Sequence, residues 1–206
     1  GGHVHIAHMS ARQSLRAVRA GKERGVHVTC EVAPHHFTLT DEALLGPPKY
    51  DTNLKMNPPL REAADRDAML AGIADGSVDV IATDHAPHHS DEKMLEFDRA
   101  PFGIVGLETA VPIVCDRLLH AGKISWARLV ELLSVNPARV FHLPGGSLAE
   151  GAPADITVLA PDARVTISAA ALKSKSKNTP FDGWELRGGV AATIVGGRVV
   201  YRNASC

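Results

Sequence analysis

The chain has 206 residues, of which 45% are apolar, and a formal net charge of −1. This length suffices for a sizeable core in one or two domains, and the balanced charge argues against nucleic acid or an anionic membrane as a partner. No apolar stretch of the sequence is long enough to span a bilayer. Cys30, Cys115 and Cys206 are widely spaced without a Cys-x-x-Cys pair, which fits reduced thiols and a cytoplasmic location. Because residue 1 is glycine rather than methionine, we do not expect it to be the native translation start.

The first part of the chain alternates between strand and helix patterns. Three strands are predicted from β-branched and alternating apolar residues, at positions 2–8, 26–33 and 78–83. The first helix is predicted to be capped by Ser10 and ended by Gly25. Later helix limits are predicted at Arg61, Ala74, Leu119, Ser125 and Asn136, with a long polar loop at 90–106. Repeated β-α units of this kind predict an α/β fold with a parallel sheet.

Near residue 143 the pattern changes to turn-rich β segments. Gly196-Gly197 lies between two β-branched stretches, which is typical of a hairpin. The segment Leu172 to Pro180 is rich in lysine and is predicted to be an exposed basic loop. We therefore predict an α/β part at residues 1–143 and a small β-rich domain at residues 144–206.

Histidine or aspartate follows each of the three predicted strands. His8 follows the first strand, His35 and His36 the second, and Asp84 the third, with His88 four residues later. Parallel strands present their C-terminal ends at one edge, so these side chains are expected to meet. Imidazole and carboxylate are suitable ligands for zinc, and a carboxylate beside a metal-bound water can accept its proton. The pattern therefore predicts metal-assisted hydrolysis.

Several longer segments resemble one family. Five of them resemble, in order, the second half of a dihydroorotase of the amidohydrolase superfamily: VHIAHMSA (4–11), CEVAPHHFTLT (30–40), KMNPPLR (55–61), IATDHAPHH (81–89) and PFGIVGLETAVP (101–112). The later segments GGSLAEGAPADITVL and NTPFDGWELRGGVAATIVGGRVVYR resemble the C-terminal β domain of that enzyme.

The resemblance implies the C-terminal part of a (β/α)8 TIM-type barrel, about strands six to eight, followed by a small β-rich domain. It also implies two metal ions per intact site, usually zinc (Zn2+), and the reversible hydrolysis of dihydroorotate to N-carbamoyl-aspartate in pyrimidine synthesis. His8 matches a metal ligand, and Asp84 matches both a metal ligand and the catalytic acid/base. His88 matches the residue that holds the substrate carboxylate. Asn57 and the pair Phe102-Gly103 match positions that contact the substrate, while His35, His36 and Glu31 are candidates for orienting the ligands through hydrogen bonds.

His3-Val4-His5 imitates the first metal motif of the family but lacks the arginine that follows it there. His5 lies an odd number of residues from His8, so it is predicted to face the other side of the strand. We therefore predict that His3 and His5 are strand structure and that His8 is the ligand.

The length of the chain limits the function that can be expected from it. A full barrel takes roughly 250 residues, and strands one to five of the family pattern have no counterpart here. The sequence is thus predicted to be the C-terminal half of a dihydroorotase, inactive alone and unable to hold two zinc ions tightly. The missing N-terminal half, supplied by the same or a separate chain, is an expected partner.

Two alternatives stay open at this point. One is another cyclic amidohydrolase, a hydantoinase or an allantoinase. The other is a non-catalytic scaffold that assembles with aspartate transcarbamoylase. The presence of both His8 and Asp84 favours a catalytic protein over this scaffold. A homo-oligomer is a further possible assembly.

Overall fold

The computed structural model describes residues 1–203, so Cys206 lies outside the described residues. The chain forms two compact units, the first from Gly1–Ala110 and Ile167–Trp184, and the second from Val111–Thr166 and the chain after Glu185. These units differ from the predicted domains, because residues 167–184 group with the N-terminal part. The domain boundary near residue 143 stays a prediction.

A parallel sheet of three strands in the order β1-β2-β3 forms the centre of the first unit. The strands are β1 (Val4–Ile6), β2 (Val28–Val32) and β3 (Val80–Ile81). Val4 pairs with Val28, and Glu31 pairs with Val80. All three predicted strands are therefore present, and each is shorter than predicted.

The helices of the first unit lie between these strands. They are α1 (Arg12–Glu23), α2 (Pro34–Thr38) and α3 (Ala63–Asp75), with short 3-10 turns at Asp41–Leu45 and Thr52–Leu54. Leu15 of α1 is buried against Gly72 of α3, where a Cβ atom on the glycine would lie 2.9 Å from the leucine. Close packing of the two helices thus depends on this glycine.

The start of α1 differs from the prediction. The helix begins at Arg12, and Asp65 Oδ1 of α3 accepts the Arg12 N–H at 2.8 Å. The predicted cap, Ser10, is wrong because a carboxylate from a neighbouring helix already satisfies that donor, while Ser10 Oγ accepts from Arg61 Nε at 3.3 Å. Gly25, with φ of 74°, follows the end of the helix as predicted.

Two segments predicted to be loops contain more structure than expected. The 90–106 segment includes the one-turn helix α4 (Ser90–Lys93), and Ile104 forms an isolated parallel bridge with His85. In the predicted basic loop, the lysines are exposed, but Asn178 and Thr179 are each only 5% exposed. The end of that segment is therefore part of the interior.

The second unit begins with two helical stretches. The first is α5 (Ala110–Val114) followed by a π turn at Cys115–His120; the second is α6 (Trp126–Val130), a π turn at Glu131–Val135 and α7 (Asn136–Val140). Ser125 caps α6 as predicted, since its Oγ accepts the Arg128 N–H at 3.2 Å. The sequence pattern did not predict the π turns.

An antiparallel sheet in the order β4-β5-β6 completes the second unit. Its strands are β4 (Ile156–Thr166), β5 (Glu185–Val195) and β6 (Arg198–Arg202). The predicted hairpin is confirmed, because Gly196 and Gly197 have φ angles of 54° and 78° between β5 and β6. Across residues 1–203, the structure contains no helix with the length and apolarity needed to cross a membrane.

Candidate metal and substrate site

His8 and Asp84 come together at the C-terminal edge of the parallel sheet. His8 follows β1 and Asp84 follows β3, and their backbones are left-handed, with φ of 51° and 49°. His8 Nε2 lies 3.7 Å from Asp84 Oδ1. Left-handed residues other than glycine are uncommon and cost energy, so both positions are held there by their surroundings. Strained positions of this kind cluster at functional sites.

Glu31 on β2 contacts the His8 ring. The side chain is buried, and its Oε1 lies 2.9 Å from His8 Nδ1. The two atoms are in close contact without hydrogen-bond geometry, because His8 Nδ1 has no hydrogen-bond partner among the described residues. The other ring nitrogen, His8 Nε2, faces Asp84.

His5 reaches the same carboxylate, contrary to the sequence prediction. Its Nε2 donates a hydrogen bond to Glu31 Oε2 at 3.1 Å, so His5 and His8 contact the two oxygens of one side chain. The prediction that they face opposite sides is wrong because the two-residue alternation ends with β1 at Ile6, and the left-handed turn redirects His8.

Further hydrogen bonds extend from His5 along the sheet. Thr29 Oγ1 lies 2.7 Å from His5 Nδ1 and 2.8 Å from His3 Nε2. The His3 ring also stacks on His27, with ring centroids 4.2 Å apart. Of the first two histidines of the chain, His5 thus contacts Glu31, and His3 is linked to His5 through Thr29.

His35 and His36, which follow β2, differ in their contacts. His35 is 1% exposed, and its Nε2 has no hydrogen-bond partner and lies 3.9 Å from Asp84 Oδ2. His36 Nε2 donates to the Pro58 carbonyl at 2.9 Å. Burial lowers the pKa of His35 well below its usual value, with help from His36 and His8, and burial lowers the pKa of His36 to about 4. Both rings are therefore neutral near pH 7.

The Asp84 carboxyl has a raised pKa. Burial is the main cause, the nearby Glu31 carboxylate raises it further, and His8 acts in the opposite direction. A carboxylate with a raised pKa is a better proton acceptor than an exposed one, which suits a general base.

The donors at the strand ends fit a shared divalent ion, although they do not complete its coordination. Ligands about 2.1 Å from a tetrahedral zinc ion lie roughly 3.4 Å apart, close to the 3.7 Å between His8 Nε2 and Asp84 Oδ1. The buried His35 Nε2 lies 3.9 Å from Asp84 Oδ2 and has no hydrogen-bond partner among the described residues. Among residues 1–203, no group of three or more His, Cys, Asp or Glu residues has the arrangement to hold a metal.

His88 and Phe102, both predicted to contact the substrate, are joined directly. His88 Nε2 donates to the Phe102 carbonyl at 2.9 Å, and His88 Nδ1 lies 3.7 Å from Glu92 Oε2. This arrangement leaves Nδ1 as the ring nitrogen not bonded to the backbone.

Gly103 has its backbone groups engaged within the protein. Its N–H donates to the Lys55 carbonyl at 2.8 Å, and its carbonyl accepts from Lys93 Nζ and Asn178 Nδ2. With φ of 105°, and with Ala86 only 2.5 Å from where a Cβ would lie, the position accepts only glycine without distortion.

Asn57 lies on the loop that these contacts hold in place. Its side chain is exposed, its neighbour Pro58 accepts the hydrogen bond from His36, and Lys55 two residues earlier is bonded to Gly103. The loop that carries Asn57 is therefore connected both to the strand-end histidines and to the Phe102-Gly103 segment.

Comparison with known proteins identifies the family of the chain. The sequence model of the Amidohydrolase family matches residues 1–200. The chain is 55% identical over 202 residues to a dihydroorotase of Geobacter sp. (strain M21), covering 98% of this chain and 47% of the relative. It is 52% identical over 203 residues to a dihydroorotase of Brevibacillus brevis, with the same coverage. The chain thus spans about half the length of the curated relatives it matches.

Solved structures agree with the fold. A dihydropyrimidinase from Brevibacillus agri NCHU1002 has a TM-score of 0.92 and 27% identity, covering 98% of this chain and 45% of that protein. An L-hydantoinase from Arthrobacter aurescens has a TM-score of 0.90 and 27% identity, covering 96% and 44%. These similarities extend over both compact units.

Proposed function

Since the chain belongs to the amidohydrolase family, we propose that it supplies the C-terminal half of a dihydroorotase. The observation that carries the proposal is the convergence of His8 and Asp84 at the ends of neighbouring parallel strands. Identity to dihydroorotases, at 55%, is about twice the 27% identity to the dihydropyrimidinase and hydantoinase structures. Dihydroorotate is therefore favoured over hydantoin or allantoin as the substrate.

We place β1, β2 and β3 as barrel strands six, seven and eight. The parallel order of the three strands supports this assignment, as does the ligand-type residue after each strand. The remaining strands would come from the N-terminal half, which is the first partner that this proposal requires.

His8 and Asp84 would hold zinc, one of two ions in the intact site. Proteins of this family are generally metal-dependent, and imidazole with carboxylate suits zinc. When bound, the metal polarises the amide carbonyl and lowers the pKa of water. The remaining ligands would belong to the N-terminal half.

Asp84 would move the proton during ring opening. As a general base it accepts a proton from the attacking water, and as a general acid it delivers that proton to the departing ring nitrogen. Its raised pKa supports both steps, because a stronger base accepts the proton more readily and still releases it to an amide nitrogen. His8 is held in place by Glu31 while this happens.

His88 would bind the substrate carboxylate through an Nδ1–H of the doubly protonated ring, since its Nε2–H is committed to the Phe102 carbonyl. Asn57 and Phe102 would line the substrate ring. Glycine at position 103 would let the backbone next to Phe102 pass close to Ala86. A carboxylate contact of this kind distinguishes dihydroorotate from an uncharged cyclic amide, because a buried charged partner left unpaired lowers affinity.

The test is a chimera in which this chain replaces the matching 47% of the Geobacter sp. (strain M21) dihydroorotase. We call this protein the Geobacter chimera. It is expected to hydrolyse dihydroorotate, to prefer it to hydantoin and allantoin, and to bind zinc, whereas the 206-residue chain alone is expected to be inactive. The unmodified Geobacter enzyme is the control.

A folded, zinc-loaded chimera without dihydroorotate turnover would overturn the proposal. A preference for hydantoin would instead support the alternative that this chain is half of a hydantoinase, a kind of enzyme whose solved structures have a similar fold. Assembly with aspartate transcarbamoylase, self-association and a cytoplasmic location stay predictions.

A further inference from the structure

Two buried lysines donate to the same short loop, residues 98–103, which we call the 98–103 loop. Lys55 and Lys93 are each 8% exposed. Lys55 Nζ donates to the Asp98 carbonyl at 3.0 Å and to the Ala100 carbonyl at 2.7 Å. The ammonium group also lies 4.6 Å from the centre of the Phe102 ring, within the range of a cation–π contact.

Lys93 completes the arrangement from the other side. Its Nζ donates to the Pro101 carbonyl at 3.0 Å and to the Gly103 carbonyl at 3.1 Å. Together the two ammonium groups bind four carbonyls within six residues of chain. Charge-assisted hydrogen bonds are about twice as strong as neutral ones, so the path of this loop is tightly defined.

A carbonyl of the 98–103 loop that neither lysine binds faces His88. Phe102 O accepts from His88 Nε2 at 2.9 Å. Asn178 fixes the other side of this contact, because its Oδ1 accepts the His88 N–H at 3.3 Å and its Nδ2 donates to Gly103 O at 3.2 Å. The direction of the His88 ring therefore depends on the loop that the lysines hold.

Fold stability alone does not account for burying these charges. Burial lowers the pKa of Lys93 to about 8, with Lys55 contributing in the same direction and Asp51 opposing it. The charged form of Lys93 is therefore less favourable here than in water, so holding the charge at this place has a cost. The gain from the lysines lies in the geometry of the loop.

We propose that Lys55 and Lys93 are positioning residues that hold the Phe102 carbonyl where it orients His88 for an anionic substrate. The substrate part of this inference rests on the proposed function. The positional part concerns this chain alone, so each part has its own measurement.

The first measurement uses the 206-residue chain labelled with 15N at histidine. In the unmodified chain the His88 Nε2 proton is expected to exchange slowly with solvent because it is bonded to Phe102. The variant Lys93→Met is expected to speed this exchange roughly tenfold, which corresponds to about 1.4 kcal/mol, while the melting temperature stays within a few degrees. Lys175→Met, at an exposed lysine, is the matched control and is expected to change neither.

Two further variants keep the test decisive. Lys55→Met is expected to act like Lys93→Met, and Lys93→Gln, which keeps part of the donor capacity, is expected to fall between. Unchanged exchange at His88 in folded variants would overturn the proposal. Unfolding of all three variants would also overturn it, since a purely structural role would then explain the lysines.

The second measurement uses the Geobacter chimera. Lys93→Met is expected to raise KM for dihydroorotate about tenfold and to leave kcat within about twofold, because His88 binds the substrate rather than transfers protons. An equal fall in kcat with unchanged KM would contradict positioning of His88. If the unmodified chimera has no activity, the proposed function fails while the exchange measurement still decides the role of the lysines.

Discussion

The strand ends and the 98–103 loop bury polar groups in opposite ways. At the strand ends, His8, Glu31, Asp84 and His35 contact one another through side chains, and His35 Nε2 is left without a partner. In the 98–103 loop, lysine side chains donate to backbone carbonyls, and the donors found there are paired.

The difference separates groups that react from groups that support. Buried polar atoms are normally hydrogen-bonded, so the unpartnered His35 nitrogen near the Asp84 carboxylate distinguishes the strand ends from the loop. A fully paired set of donors instead rigidifies the backbone around it. The following predictions test whether this division is real.

The largest effect is expected from Asp84→Asn in the Geobacter chimera. Asparagine adopts the left-handed backbone readily, so folding should be retained while the proton acceptor and the metal donor are lost. We expect kcat for dihydroorotate to fall by roughly 1000-fold or more. Asp91→Asn, at an exposed aspartate, is the control, and a comparable loss there would remove the special role of the strand ends.

His36 is a strand-end histidine that is used as a donor to a carbonyl, so it should act on stability. Its pKa of about 4 in the folded chain lies below the ordinary 6.5. The contribution of the neutral His36 ring to the free energy of unfolding is therefore complete above pH 6.5. It is lost as the pH falls towards 4, which lowers the free energy of unfolding by about 3 kcal/mol. In urea unfolding with a metal chelator present, His36→Gln should remove about that much of the pH dependence between pH 7 and 4. An unaltered pH dependence would show that the ring is already charged in the folded chain.

Glu31→Gln should weaken zinc binding without affecting the 98–103 loop. The carboxylate is in contact with His8, and loss of a partner of this kind typically lowers metal affinity by about 10–100-fold. Competition with a chromogenic chelator would measure this in the Geobacter chimera. Thr29→Val, which removes a contact to His5 but keeps the Glu31–His8 contact, should have a much smaller effect. Equal losses in both variants would assign the effect to general loosening of β2.

The smallest effect is expected where the two regions meet, at Glu92. This carboxylate is 3.7 Å from His88 Nδ1 and its side chain is 57% exposed. Glu92→Gln should lower KM for dihydroorotate by about twofold at low salt, because one negative charge no longer competes with the substrate. The difference should vanish at high salt, and a salt-independent change would point to altered helix capping through His89 instead.

The sequence was most informative where chemistry follows a strand directly. His8 and Asp84 could be predicted to meet because parallel strands end at one edge, and the structure brings them together. By contrast, the side of the strand that His5 faces depends on the left-handed turn at His8, which no alternation pattern contains.

The supporting contacts could not be predicted, because they join segments distant in sequence. Asp65 caps a helix that begins at Arg12, and Asn178 bonds to His88. Lys55 and Lys93 each stand in polar segments where an exposed lysine is the usual expectation. Only the folded structure shows that both lysines donate hydrogen bonds to the 98–103 loop.

The left-handed backbones of His8 and Asp84 have a consequence for laboratory evolution. Glycine occupies this conformation without steric penalty, whereas a side chain adds a cost there that is smaller for Asp and His than for most other residues. A selection for heat resistance alone would therefore favour glycine at both positions and remove both candidate metal donors at an early stage. Thermostable descendants of this chain would keep their chemistry only if turnover were selected in every round.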